Sequence, residues 1–267
     1  MRRSGIAAGG ELRPKRRLGA ALAGMLLVAI GPGARAQDLA DAEPRPTATL
    51  SDPWEGLNRQ TYGLNTGLDR AVFAPVTRGY VAVTPGPLRR GLGLAFDNLR
   101  EPRIVINSLA QGYPRRALRS AARFAINSTV GVAGLFDVAT RAGLPVQIAD
   151  FGQTLGRYGV RPGPYVMVPI LGPHDVRDLV GRVVDSLLDP ASQVFGGLTT
   201  KFGIVRQLET GLDYRSGAEP ALKALDDAAD PYATARSAYG QRRAYIVRQA
   251  TGEAETLPDF DEDTGAR

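Results

Sequence analysis

The sequence has no cysteine and a single histidine, His174, among its 267 residues. The lack of cysteine excludes disulfides, thiolate zinc sites, iron–sulfur clusters and a cysteine nucleophile. One histidine excludes a histidine-rich metal site, and any serine–histidine mechanism would have to use His174. The chain also has no run of about 18 apolar residues, so we expect no conventional transmembrane helix. We expect no metal site and no cofactor.

Excess charge of one sign is missing from most of the chain. The formal net charge is +6, but residues 1–36 contain seven basic residues and one acidic residue, which account for all of it. The rest of the chain is therefore balanced in charge. Because a phosphate-binding surface needs excess cations in the folded part, we expect no nucleic acid among the partners.

The first 36 residues have the three parts of a secretory signal. A basic stretch ends at Arg17, an apolar run extends from Leu18 to Ile30, and Ala34 and Ala36 supply the small residues of a cleavage site. The apolar run has about 13 residues, fewer than the ~20 that span a bilayer. We expect residues 1–36 to be a cleaved signal peptide and the chain to be exported, with an uncleaved anchor as the alternative.

Composition divides the remaining chain into three parts. Residues 37–50 are polar and contain proline, which is typical of a linker. Residues 249–267 are rich in acidic residues and poor in core-forming ones, which predicts a disordered acidic tail. Residues 51–248 between them are enough for one domain.

Helical periodicity dominates residues 51–248. Apolar residues recur at three- and four-residue steps from Trp54 to Val72, a pattern typical of an amphipathic helix of about 20 residues. Similar patterns predict further helices at about 88–99, from 101, at 114–128, 175–189 and 231–247. Alternation with a period of two is rare. The predicted fold class is mainly α, a single compact helical domain.

A segment rich in glycine and proline, residues 151–173, interrupts the helical patterns. Glycine permits positive φ angles and proline restricts φ, so we expect extended or irregular chain there. A surface loop is the ordinary interpretation. A dense apolar cluster from Tyr165 to Leu171 favours a functional loop instead, because long apolar loops are unusual in compact domains.

Several motifs in residues 51–248 together resemble one protein family. They are Asp52-Pro-Trp-Glu-Gly-Leu-Asn-Arg59, Asn98-Leu-Arg-Glu-Pro102, Gly131-Val-Ala-Gly-Leu-Phe-Asp-Val-Ala139, Phe151-Gly-Gln-Thr-Leu-Gly156, Gly163-Pro-Tyr165 and Asp230-Pro-Tyr232. With these motifs the chain resembles the VacJ/MlaA family of Gram-negative outer-membrane proteins that maintain lipid asymmetry.

The resemblance implies a helical protein on the periplasmic side of the outer membrane, in its inner leaflet. It implies an amphipathic channel through which mislocalised phospholipids leave the outer leaflet and pass to a soluble periplasmic lipid carrier. It also implies association with a trimeric porin and no covalent catalysis. By the same resemblance, we assign a gating hairpin at the channel to Gly159, Gly163, Pro164 and Tyr165.

Membrane attachment is where the sequence departs from this family. Family members are usually lipoproteins, whereas this sequence has no cysteine that could be acylated. A single acyl chain binds membranes only marginally, so buried apolar helix faces can compensate for its loss. We therefore expect the helix at 51–72 to lie in the membrane, with a membrane-facing stripe formed by Trp54, Leu57, Leu64 and Leu68. The alternative is that this helix packs on the core.

The sequence allows two roles for each of four polar side chains. Asn58 and Asn65 lie two helical turns apart and could either bond buried backbone or face the channel. Arg123 and Arg157 could either bind a lipid phosphate, which a guanidinium holds with two hydrogen bonds, or form surface ion pairs.

An enzyme and a scaffold are the competing functions. His174 could act in acid–base chemistry, but Asp175 beside it favours a helix N-cap and an incidental histidine. The competing function of a different class is a soluble periplasmic scaffold or interaction protein without lipid transport.

Overall fold

A computed structural model describes residues 50–195 and 200–251. The predicted signal peptide, nearly all of the predicted linker and most of the predicted tail lie outside these residues. Within them the fold is predominantly helical, which confirms the predicted class. None of the helices in the described ranges combines the length and the apolarity needed to cross a membrane.

The first half of the described chain is almost entirely helical. Its helices are α1 (Glu55–Leu68), α2 (Ala74–Val83), α3 (Gly86–Asn98), α4 (Glu101–Ala110), α5 (Pro114–Thr129) and α6 (Val138–Arg141). A π-helical turn at Asp69–Phe73 joins α1 to α2, so one helical segment extends well past the predicted boundary at residue 72. Pro75 cannot donate the usual backbone hydrogen bond, and a π turn just before it accommodates this loss.

The second half contains the short β-hairpin and six further helices. They are α7 (Phe151–Arg157), β1 (Tyr165–Val168), β2 (Gly172–Asp175), α8 (Val176–Leu188), α9 (Pro190–Phe195), α10 (Lys201–Gly217), α11 (Glu219–Asp226) and α12 (Pro231–Thr251). The strands pair antiparallel, with Tyr165 opposite Asp175 and Val168 opposite Gly172. Helix α12 extends to Thr251, and so into the segment predicted to be a tail from residue 249.

The prediction of irregular chain over residues 151–173 is wrong for the first part of that segment. Residues 151–157 form helix α7, which begins with a side-chain cap from Asp150 to the backbone of Gln153. Its glycines belong to a helix crossing and not to a loop. An ideal Cβ on Gly181 of α8 would lie 2.7 Å from the Cα of Gly152, so the two backbones approach too closely for any side chain. The irregular chain begins only after Arg157.

The apolar stretch after α5 contains an unusual backbone conformation. Val132, Ala133 and Gly134 all have positive φ angles, of 52°, 55° and 89°. The backbone N–H of Gly134 donates to the carbonyl oxygen of Asn127 at 2.7 Å, which folds this segment back onto the end of α5. A Cβ on Gly134 would lie 2.8 Å from the Cβ of Asn98, so α3 leaves room only for glycine there.

The apolar core is small and mostly aromatic. It consists of Tyr165, Met167 and Tyr232, with Leu50, Tyr62 and Tyr239 packed against them. The rings of Tyr165 and Tyr232 meet edge to face, with centroids 6.1 Å apart. This cluster joins the β-hairpin to α1 and α12.

Candidate functional site

The distribution of side chains is the reverse of that in an ordinary water-soluble domain: many polar side chains are buried and many large apolar ones are exposed. The largest fully buried side chains include the amides Asn58, Asn107, Gln111 and Gln153. Exposed large apolar side chains occur in most of the long helices. Polar residues are usually on the surface of soluble proteins, and contiguous apolar surface marks a contact with membrane or partner.

Helix α1 shows the inversion at the predicted membrane-facing stripe. Trp54, which precedes the helix, and Leu57 and Leu64 within it are 48%, 64% and 53% exposed, whereas Asn58, the next residue after Leu57, is 1% exposed. Leu68 is partly buried. The helix does pack on the core, through Tyr62, but Trp54, Leu57 and Leu64 remain exposed. That these residues face a membrane stays a prediction.

Helix α8 repeats the pattern on a second face. Val180, Val183 and Leu187 point outward, with Val183 62% exposed. Asp178 and Asp185, on the other side of the helix, are buried. Asp185 accepts a hydrogen bond from the side chain of Asn107 at 2.7 Å. The apolar stripe of α8 is thus its outer face.

The two asparagines of α1 hold the β-hairpin. The side-chain amide of Asn58 donates to the carbonyl oxygen of Tyr165 at 3.2 Å and accepts from the backbone N–H of Met167 at 2.8 Å. Asn65 does the same further along, donating to Val168 at 3.0 Å and accepting from Ile170 at 2.7 Å. The side chains thus replace a missing neighbouring strand at the edge of β1, so both asparagines bond backbone.

Asp52 anchors this arrangement from the start of the domain. It accepts hydrogen bonds from the amide of Asn58 at 2.7 Å, from Arg236 at 2.6 Å and from the hydroxyl of Tyr232. Burial raises the pKa of Asp52, but these three donors outweigh it and leave that pKa below its ordinary value. The first residue of the Asp52–Arg59 motif is therefore a buried structural carboxylate.

The predicted gating hairpin corresponds to the chain between α7 and β1. Gly159 and Gly163 have φ angles of 84° and 73°, which glycine adopts without strain. No atom lies within 4 Å of an ideal Cβ on Gly159, and the residue is exposed. Tyr165 is fully buried in the aromatic cluster, so it forms the fixed base of this segment. A gating role for Gly159, Gly163, Pro164 and Tyr165 stays a prediction.

A buried ionic network secures the other side of the hairpin. Arg243 of α12 donates to both carboxylate oxygens of Asp150 at 2.7 Å and also contacts Asp178. Asp178 accepts from the hydroxyl of Tyr239 at 2.7 Å. Burial raises the pKa of Asp150, but Arg243 outweighs it and holds that pKa far below its ordinary value. Arg243 could not be singled out from the sequence, because a single arginine in a helix has no distinguishing signal.

Arg123 and Arg157 have different environments. Arg123 is buried and donates to Glu101 at 2.6 Å and to Thr140 at 2.8 Å. It is therefore neither a surface ion pair nor free for a lipid phosphate, and both interpretations are wrong for this residue. Arg157 donates to the carbonyl oxygen of Ala250 at 2.6 Å and lies over the ring of Tyr113.

His174 has the environment of a structural residue. It is buried, and that burial lowers its pKa to about 4, so the ring is neutral near pH 7. Asp175 accepts from the backbone N–H of Asp178 at 2.8 Å, which confirms it as the N-cap of α8. In residues 50–195 and 200–251 there is no group of three or more acidic or histidine side chains arranged to hold a metal ion.

Comparison with known proteins identifies the family. Residues 50–246 match the family described as MlaA lipoprotein. The chain belongs to the MlaA lipoprotein family. This match covers the β-hairpin, the bonds of Asn58 and Asn65, and every described helix except the last turn of α12.

Relatives and a solved structure agree with membership of the MlaA family. The intermembrane phospholipid transport system lipoprotein MlaA of Escherichia coli (strain K12) is 34% identical over 201 residues, 74% of this chain and 78% of that protein. The protein of the same name from Haemophilus influenzae is 34% identical over 224 residues, covering 81% and 88%. A structure described as the structural basis for maintenance of bacterial outer membrane lipid asymmetry aligns with a TM-score of 0.64 at 34% identity, covering 74% of this chain and 99% of that one.

Proposed function

We propose that this chain is the outer-membrane component of a retrograde phospholipid transport system. It removes mislocalised phospholipids from the outer leaflet and passes them to a soluble periplasmic carrier. The observation that carries the proposal is the inverted burial in a member of the MlaA family: polar side chains fill the interior and apolar side chains cover α1 and α8. A phospholipid needs an apolar path for its chains and a polar path for its headgroup, and this distribution supplies both kinds of surface.

Deletion with complementation tests the proposal. Cells that lack the protein are expected to accumulate phospholipid in the outer leaflet and to become sensitive to detergent and chelator. The wild-type gene restores both. Unchanged leaflet composition in the deletion strain contradicts transport and leaves the competing function, a soluble periplasmic scaffold. For that scaffold, the purified chain carries no phospholipid.

We assign no catalytic role to the chain. The buried, neutral ring of His174 supports this, because an acid–base residue must reach its substrate. A His174→Gln variant that folds is expected to complement the deletion. Loss of complementation by a folded variant favours an enzyme.

Membrane seating is proposed to depend on the exposed stripe of α1. The sequence has no cysteine to acylate, and apolar helix faces that enter the membrane can supply affinity for it. The double variant Leu57→Lys/Leu64→Lys is expected to shift the protein from the outer-membrane fraction to the soluble periplasmic fraction. Gln241→Lys, on the exposed surface of α12, is the control, and equal fractionation of all three proteins contradicts this seating.

The partners and the gate belong to the same proposal. Association with a trimeric porin is expected to give photo-cross-links from a photoreactive residue placed at the exposed positions 57 of α1 or 183 of α8, and their absence contradicts the partnership. The exposed chain around Gly159 and Gly163 is proposed to move against the fixed Tyr165 when lipid passes through the channel. A folded Gly159→Ala variant is expected to reduce transport, because a side chain disfavours the positive φ of 84° while no atom lies within 4 Å of the added Cβ.

A further inference from the structure

A cavity of about 270 Å³ lies at the C-terminal end of α12. The start of α5, the segment before α7, α7 itself and the end of α12 form its walls, through Arg116, Val146, Gln147, Ile148, Gln153, Gln249 and Ala250. No residue of the predicted gating hairpin lines it. Its volume is near the lower end for small-ligand pockets, ~300 Å³, so it fits a small polar group and not a whole lipid.

The walls of the cavity contain one positive charge. The guanidinium of Arg116 lies 4.3 Å from the centre of the Tyr113 ring and donates to the carbonyl oxygen of Gln249 at 3.2 Å. Among the described residues it has no carboxylate partner. Arg157 lies over the same ring at 4.3 Å and adds a second positive charge nearby. The first turn of α5 has no acidic residue, so its positive helix end favours an anion at the same place.

The three glutamines of the cavity offer acceptors. Their side-chain nitrogens already donate elsewhere, Gln147 to Pro145 at 3.1 Å, Gln153 to Asp150 at 2.9 Å and Gln249 to Tyr245 at 2.6 Å. None of their side-chain amide oxygens accepts a hydrogen bond from the described residues, so each can accept one from a ligand. One guanidinium beside three amide oxygens matches a ligand with a phosphate at one end and an ammonium or hydroxyl donor at the other.

Two apolar side chains line the same cavity. Val146 and Ile148 line the cavity and are 52% and 44% exposed. They provide a surface for the first carbons of an acyl chain that leaves the cavity. A free phosphate makes no use of these apolar residues.

We propose that this cavity binds the phosphodiester headgroup of a phospholipid, with the phosphate on Arg116 and the distal amino or hydroxyl group on the glutamine oxygens. The inference rests on the proposed function, because it takes phospholipid to be the cargo. It adds a headgroup site that is separate from the gating hairpin.

Calorimetric titration of the detergent-solubilised full chain tests the site. The probes are glycerophosphoethanolamine, glycerophosphoglycerol and inorganic phosphate. At least one headgroup compound is expected to bind more tightly than inorganic phosphate. Arg116→Gln is expected to weaken that binding about tenfold or more, because it removes a charge-assisted bond to phosphate. Arg119→Gln is the control, since Arg119 is exposed on the same helix and does not line the cavity.

A second variant, nearly isosteric with the wild type, tests the site even if Arg116→Gln misfolds. Gln147→Glu places a carboxylate in the cavity wall and is expected to weaken headgroup binding to a similar extent. Gln60→Glu on α1 makes the same change away from the cavity and is expected to bind normally. Circular dichroism establishes that each variant is folded.

Three results overturn the inference. They are no binding of either headgroup compound, equal losses in Arg116→Gln and Arg119→Gln, and binding of inorganic phosphate as tight as that of the headgroups. Phospholipid that co-purifies with the same preparations is measured separately. If wild-type protein carries phospholipid while any of these results is obtained, the cavity inference fails and the proposed function stands. If no phospholipid co-purifies, the proposed function fails, whatever the cavity binds.

Discussion

Replacing Asn58 with alanine should release the β-hairpin from α1. The side chain is 1% exposed and satisfies two backbone groups of β1, the carbonyl of Tyr165 and the N–H of Met167. Both of those residues are themselves buried. In Asn58→Ala these groups lose their partners in a place that water does not reach.

The expected cost follows from this count. Each buried backbone group left without a partner costs about 1–3 kcal/mol, so two of them together with about 1 kcal/mol for the lost bond to Asp52 cost about 3–7 kcal/mol. Asn65→Ala is the matched comparison, with the same residue type, the same helix and two bonds to the backbone of the hairpin. Asn65 is only partly buried, so water replaces its bonds and the expected cost is about 1 kcal/mol.

Denaturant unfolding of the detergent-solubilised proteins measures both costs. Amide hydrogen exchange supplies the local readout, because the N–H of Met167 should lose protection in Asn58→Ala and the N–H of Ile170 should lose it in Asn65→Ala. Gln60→Ala, on the exposed side of α1, controls for changes in helix propensity. Equal destabilisation by Asn58→Ala and Asn65→Ala, or a Met167 amide that stays protected, refutes the reasoning.

Two further predictions concern close packing and buried charge. Gly181→Ala should destabilise the fold by about 1–3 kcal/mol in denaturant unfolding, because its Cβ would meet the backbone of Gly152; Gly79→Ala, with no atom within 4 Å, should be neutral or stabilising. Burial and the carboxylate of Asp213 raise the pKa of Glu209 to about 7. The wild type should therefore lose stability as the pH rises from 4.5 through 7, and Glu209→Gln should be about 1–2 kcal/mol more stable than the wild type at pH 8 but not at pH 4.5. Equal stability of Gly181→Ala and Gly79→Ala, or a pH-independent effect of Glu209→Gln, counts against these two arguments.

Helix positions were predictable because apolar residues keep the helical spacing whether their face of the helix is buried or exposed. A stripe at three- and four-residue steps appears in α1 and α8 whether it faces a core or a lipid. The pattern itself does not tell which face is inside. In α8, Asp178 and Asp185 face inward, and only the contacts with neighbouring helices reveal this.

Helix α10 was not predicted, for the same physical reason. Its buried residues include Glu209, Thr210 and Arg215, so no apolar stripe marks the inner face. Arg215 instead donates to Asp69 in the π-helical turn at 2.6 Å. A pairing between residues so far apart in the chain leaves no local trace in sequence. Helix α7 was not predicted because glycine, which usually weakens helices, is required there by the approach to Gly181.

The polar interior changes what holds this fold together. In the proposed membrane setting, acyl chains are as apolar as the leucines and valines that face them, so burying those side chains contributes little to the association of the helices. Specific bonds such as those of Asn58 and Arg243 must then align the helices, and each depends on both partners being present. Truncation of one inward polar residue should therefore cost more than truncation of an outward residue such as Val183. In a water-soluble helical domain the costly truncations are instead those of inward apolar residues.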